Sequence, residues 1–215
     1  MIKNCEMTAA GLPGVDEIIN KAENVCPVQW AADVARKAHQ ATCGRDVFCR
    51  DGLNQLYLII TEITNDRGNV EDLDLLRELC GTIMLGAGCE LSYKAAELVK
   101  ASLDNYGDDW RDHMVKRKCA AFQCKPFYSL YIDPNTCTGC GECLKHAPAG
   151  AVAGGEGMIH VIKKDAGLKT DEFMGCCPAD AIKKAGMVKP PLPPEPVPVG
   201  SFGANAGGGR RRRRG

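Results

Sequence analysis

A chain of 215 residues, 45% hydrophobic and 25% charged, is long enough for one or two domains with real cores. Its 27 basic and 27 acidic residues cancel, but Arg210 to Arg214 form a basic tag on an otherwise mildly acidic body. There is no charged-then-apolar leader and no run of about 18 apolar residues, so neither a signal peptide nor a transmembrane helix is expected, and the expected compartment is a reducing cytoplasm. In that setting thirteen cysteines at short spacings read as metal ligands. A disulfide scaffold is the weaker alternative, because a CxxCxxC triplet has poor disulfide geometry.

In chain order, residues 1–25 read as an arm with a turn at Gly11-Leu12-Pro13-Gly14 and a short helix from Val15 to Ala22. Residues 26–118 read as helical. Pro27 suits a first turn, and Val28, Ala31, Ala32, Val34, Ala35 and Ala38 recur at helical spacing until Cys43-Gly44 stops the run. Leu53, Leu56, Tyr57, Ile59, Ile60 and Ile63 give a second helix. Asn69, with Asp72 three residues on, caps a third with the stripe Leu73, Leu76, Leu79, Ile83 and Met84. A fourth runs from Ser92 through Leu103, and Asp109 to Lys118 add a last turn or two. Short connections between four helices predict a small antiparallel bundle.

Residues 119–186 lose the helical period, and short β-prone pieces, Leu130-Tyr131-Ile132 and Met158 to Ile162, alternate with Cys, Gly and Pro. This predicts a small α+β domain that is marginal without metal. Residues 187–215 are rich in Pro, then Gly, then Arg, and predict a disordered or extended tail. No GxGxxG and no Walker loop occurs, so no nucleotide site is expected.

Within the small domain, Thr136-Cys137-Thr138-Gly139-Cys140-Gly141-Glu142-Cys143 sets three thiols in one glycine-rich loop, and Cys177-Pro178 supplies a fourth. Three such thiolates turned to one point are how a chain holds a cubane iron–sulfur cluster. Residues 128–186 resemble the bacterial-type ferredoxins, whose two-cluster domains repeat CxxCxxCxxxCP. Here Ala147, Phe173, Thr170 and Gly167 stand where the other cysteines would be. The resemblance therefore implies one complete [4Fe–4S] set, Cys137, Cys140, Cys143 and Cys177. Cys176 is the alternative to Cys177, or a buried neighbouring thiol.

In the helical part, Thr42-Cys43-Gly44-Arg45-Asp46-Val47-Phe48-Cys49-Arg50 and Cys89-Glu90-Leu91-Ser92 resemble the S-C-G-x-C-x-x-C-R and C-x-L-[GS] segments of a known family, the NADH-binding flavoprotein subunits of complex I and of NAD-dependent, electron-bifurcating hydrogenases and formate dehydrogenases. The resemblance covers residues 26–117 and implies a second [4Fe–4S] at Cys43, Asp46, Cys49 and Cys89. Asp46 departs from the pattern by replacing a cysteine, as a harder oxygen donor that would bind iron more weakly. The alternative is a solvent-facing Asp46 beside a degenerate site. Cys80 lies in the leucine stripe and reads as a core thiol.

In the hydrogenase relatives a C-x4-C segment like Cys119 to Cys124 joins the two parts. With a histidine it would suit tetrahedral zinc. His160 is the expected ligand, because its His-Val-Ile run matches a histidine of those relatives. His146 is the other candidate, and two free thiols are the alternative. Cys5 and Cys26 fit no pattern, and His39 reads as an ordinary helix residue.

The family's flavin and NADH-binding region has no counterpart in this sequence, so the resemblance implies an electron-transfer subunit with no substrate site of its own. It would relay single electrons between a partner flavoprotein or ferredoxin and a multi-subunit, bifurcating oxidoreductase. The alternatives are a redox-sensing or assembly subunit and a free ferredoxin-like carrier. The arginine run without a folded nucleic-acid module is a weak signal for nucleic acid.

Overall fold

The computed structural model describes residues 11–163 and 171–203. Cys5, Gly167, Thr170 and Arg210 to Arg214 lie outside the described residues. The chain divides into two compact units between Tyr128 and Ser129, later in the sequence than the expected 118/119 boundary, because Cys119, Cys124 and Phe127 are buried in the helical core.

The helical unit contains α1 (Val15–Ile19), α2 (Pro27–Ala41), a π-helical turn at Phe48–Gly52 running into α3 (Leu53–Thr64), α4 (Asp72–Gly86), α5 (Glu90–Asn105) and α6 (Gly107–Val115). Helix α2 starts on Cys26, whose sulfur accepts the Gln29 N–H, with Pro27 in the first turn where no amide donor is needed. Its buried face is mostly alanine, which lets α3 and α5 approach closely. Leu53, Leu56, Ile60, Leu76, Ile83, Leu98 and Leu103 fill the space between α2, α3, α4 and α5, all fully buried. Helix α4 begins at Asp72, and only half of the expected box forms: the Asp72 carboxylate accepts from the Asn69 N–H at 2.7 Å. The last turn or two expected at Asp109 to Lys118 is the nine-residue α6, which starts earlier, at Gly107, and ends at Val115. It is held by Trp110, whose indole N–H donates to Ser102 Oγ while that hydroxyl donates to the Pro27 carbonyl. The described part of the N-terminal arm packs on α5, with Ile18 buried.

The small unit has two two-stranded antiparallel sheets. Strand β1 (Ser129–Ile132) pairs with β4 (Ile182–Ala185), with Ser129 opposite Ala185 and Ile132 opposite Ile182. Strand β2 (Val152–Ala153) pairs with β3 (Val161–Ile162). Helix α7 (Glu142–His146) follows the cysteine triplet and α8 (Asp171–Gly175) precedes Cys176. The described part of the expected disordered or extended tail, residues 187–203, is extended and mostly exposed. Val197 accepts the Ile159 N–H at 2.7 Å and the Val199 N–H donates to Gly157 at 3.0 Å, with Met158 and Pro198 bridged between them. Val199 supplies the backbone N–H that a proline lacks, and the Val197 carbonyl serves as the acceptor. No helix among the described residues is long and apolar enough to cross a membrane.

Candidate metal centres

The tightest donor set in the described residues is Cys26, His113, Cys119 and Cys124, four buried residues whose ligand atoms all lie within 4.8 Å of one another. Cys26 comes from the start of α2 and His113 from the last turn of α6, and the other two come from the loop beyond it. Nδ1 of His113 lies 2.7 Å from the Asp109 carbonyl, so it carries the proton and turns Nε2 to the sulfurs, 3.3 Å from Cys26 and 3.5 Å from Cys124. The two sulfurs are 3.8 Å apart. A tetrahedron with metal–sulfur bonds of about 2.3 Å and metal–nitrogen bonds of about 2.0 Å has edges of about 3.8 and 3.5 Å, so the donors stand where a tetrahedral ion needs them. Phe127 packs edge-on against the imidazole at 5.1 Å. Burial opposes a charged imidazole, yet the sulfurs of Cys119 and Cys26 and the Asp109 carbonyl outweigh it and push His113 up to about 10. Hydrogen bonds from Cys124 and Cys26 hold the Cys119 thiol below its ordinary range.

The histidine brought to Cys119 and Cys124 is therefore His113 and not His160 or His146, and Cys26, which fits no sequence pattern, completes the set. His160 lies in the small unit, 98% buried, with Nδ1 3.6 Å from Cys137 Sγ. Burial lowers its pKa, and its Nε2 has no partner among the described residues. The geometry suits a proton on Nδ1 donated to the Cys137 sulfur. His146 ends α7.

The triplet loop is shaped by glycine. Gly139 and Gly141 adopt φ of 72° and 77°, and a Cβ on Gly139 would come within 2.9 Å of the Gly157 backbone, whose N–H donates to the Gly139 carbonyl. Cys137 and Cys143 are buried and Cys140 is exposed. Burial first, and then the negative sulfurs of Cys137, Cys176, Cys177 and Cys140, push Cys143 up to about 11. Thiolates that raise one another in this way are what bound iron would relieve. Cys177 Sγ accepts the Ala181 N–H at 3.3 Å. Cys176 faces the same sulfurs and its thiol is raised by burial and then by Cys177.

In the helical unit, Cys43 and Cys49 flank a loop with Gly44 at φ 78°, and Cys89 immediately precedes α5. Cys49 is fully buried, while Cys43 and Cys89 are half-buried. The Thr42 hydroxyl donates to Cys49 Sγ at 3.1 Å. The Asp46 carboxylate joins the two loops: Oδ1 accepts the Cys49 N–H at 2.9 Å and Oδ2 accepts the Gly88 N–H at 3.0 Å. Arg50 pairs with Asp51 and donates to the Gly44 carbonyl. The π-helical turn absorbs one extra residue so that Gly52 can sit against Ile83, where a Cβ would come within 2.9 Å, and Gly86 gives room to Phe48. Cys80 is buried in the core, its thiol pushed up to about 12 by burial. Soft thiolates on glycine turns suit iron–sulfur chemistry in both units.

Such donor sets define a metal-binding protein of the iron–sulfur class. Residues 29–113 match the family described as the NADH-ubiquinone oxidoreductase-F iron–sulfur binding region, and they belong to that region of the NADH-binding flavoprotein family. The NADP-reducing hydrogenase subunit HndC of Solidesulfovibrio fructosivorans is 31% identical over 138 residues, which cover 64% of this chain and 28% of that protein. The F 2 subunit of the NADH-quinone oxidoreductase of Rhizobium meliloti (strain 1021) is 28% identical over 114 residues, 53% of this chain and 27% of the relative. The NADP(+)-dependent formate dehydrogenase subunit beta of Moorella thermoacetica is 37% identical over 70 residues, 33% of this chain and 10% of the relative. The chain thus spans less than a third of the length of each of these relatives.

Proposed function

We propose that this chain relays single electrons as part of a multi-subunit oxidoreductase, between a partner flavoprotein or ferredoxin and the complex's other redox centres, in a reducing cytoplasm. The observation that carries the reading is an F-type iron–sulfur region joined in one chain to a second cysteine cage. On this reading the helical unit is a four-helix bundle whose cluster is held by Cys43, Cys49 and Cys89, with Asp46 beside them in the place of a fourth cysteine. The small unit is a bacterial ferredoxin-like domain whose [4Fe–4S] is held by Cys137, Cys140, Cys143 and Cys177. A structural zinc at Cys26, His113, Cys119 and Cys124 braces the end of the helical unit.

Bound clusters supply one-electron steps with little rearrangement, and the chain sets their potentials through burial and hydrogen bonds to sulfur. His160 acts on Cys137 in this way and Thr42 on Cys49. Hydride chemistry needs a flavin or nicotinamide, which the partner would carry. Anaerobic purification followed by iron, sulfide and zinc analysis tests the assignment. About eight irons and one zinc per chain are expected, on four irons per cubane and one ion per structural zinc site. About four irons would remove the helical unit's cluster. His113→Ala is expected to lose the zinc while keeping the iron, and zinc retained in that variant would refute the four-residue set. A flavoprotein that co-purifies with the chain and reduces its clusters supports the relay; clusters that stay oxidised under turnover refute it.

A further inference from the structure

Asp46 stands where the family pattern has a cysteine, and the structure shows what its carboxylate holds. Each oxygen accepts a different backbone amide, Oδ1 that of Cys49 at 2.9 Å and Oδ2 that of Gly88 at 3.0 Å. The two amides belong to the two loops that carry the cysteines, Cys49 itself and the residue before Cys89. Hydrogen bonds to an ionised carboxylate are of the strong kind. An oxygen turned toward iron would have to loosen one of them, and a carboxylate is a poor rival to thiolate for iron in a sulfur cage. Gly88 is exposed and Cys43 and Cys89 are half-buried, so a small molecule in solution reaches this side of the cage.

We infer that Asp46 is a positioning residue that straps the Cys43–Cys49 loop to the Cys89 loop. The helical unit's cluster is then held by Cys43, Cys49 and Cys89 alone, with one iron open to a small exogenous thiol. This rests on the reading that a cluster occupies the helical unit. Thiol binding there is ligand exchange at one iron: the thiolate replaces a solvent ligand, its proton goes to buffer, and no electron is transferred.

The test uses the full chain carrying Cys137→Ser and Cys140→Ser, which silences the small unit, reconstituted anaerobically and titrated with 2-mercaptoethanol under EPR. The reduced signal is expected to convert to a new one as thiol is added. Asp46→Asn, which keeps one amide acceptor and removes the charge, is expected to give the same starting signal and the same half-conversion concentration. Asp46→Cys is expected to close the cage and abolish the response. A wild-type signal indifferent to thiol overturns the inference while leaving the cluster in place. So does an Asp46→Asn form whose starting signal differs or that binds thiol more tightly, since a carboxylate on the iron would have been competing. No iron and no signal in the silenced chain overturns the cluster reading and the inference together. In the iron-free chain, Asp46→Ala is expected to speed hydrogen exchange at the amides of Cys49 and Gly88. Unchanged exchange there would show that the strap does not exist.

Discussion

The helical unit and the small unit solve the same problem from opposite ends. In the first, α2 to α5 close around fully buried Leu53, Leu56, Ile60, Leu76, Ile83, Leu98 and Leu103, aliphatic side chains that meet without the half-buried Cys43 and Cys89. In the second, the strands are two to four residues long, and the buried positions include the ligands Cys137 and Cys143 themselves. A unit of that size buries little apolar surface to offset the ordering of its loops, so on the proposed reading metal–ligand bonds would add to its folding energy.

Iron removal gives the largest separation between them. Anaerobic chelation is expected to collapse the amide dispersion of β1 to β4 while the helical circular dichroism survives. The scale is set by structural metal sites, whose binding is worth about 10–16 kcal/mol in zinc-finger peptides. A small unit that keeps its strands without iron would break the comparison. Leu76→Ala probes the other side. It is expected to cost the helical unit about 2–5 kcal/mol in urea unfolding and to leave the small unit's EPR signal untouched. Gly139→Ala should cost the small unit about 1–3 kcal/mol, because the residue holds a left-handed backbone and its Cβ would meet Gly157. Unfolding of the loaded protein measures it, and no change would mean that the loop relaxes freely. The smallest effect is electronic. His160→Phe removes the N–H facing Cys137 Sγ and is expected to lower that cluster's midpoint potential at unchanged iron content. An unmoved potential would leave the imidazole a packing role only.

Helical periodicity located α2, α3, α4 and α5 well, because their apolar faces are continuous and their stops are glycine turns. The π-helical turn at Phe48–Gly52 was not legible, since it answers to Ile83, which is distant in sequence and meets Gly52 only in the fold. The metal sets divide along similar lines. Cysteines three residues apart announce themselves, whereas Cys26 is far from Cys119 and Cys124 in sequence and meets them only because α2 and α6 are packed by way of Ser102 and Trp110. His160 drew attention to the right kind of residue for the wrong centre. The one available signal for His113 was its place on the buried side of a helix ending just before Cys119. Composition pointed to a disordered or extended stretch at 187–203, but not to the backbone bonds of Val197 and Val199.

Those valines also set an order of events during synthesis. Gly139 is held by Gly157, and Gly157 in turn by Val199, while Ile159 is held by Val197. The loop that presents Cys137, Cys140 and Cys143 therefore leaves the ribosome well before the segment that clamps its buttress. A nascent chain arrested between the two would display reactive thiols on an unbraced loop. Iron delivered after Val199 has emerged would meet a loop whose buttress can form together with the cluster, so on the proposed reading a stretch that touches no metal bears on when the metal enters.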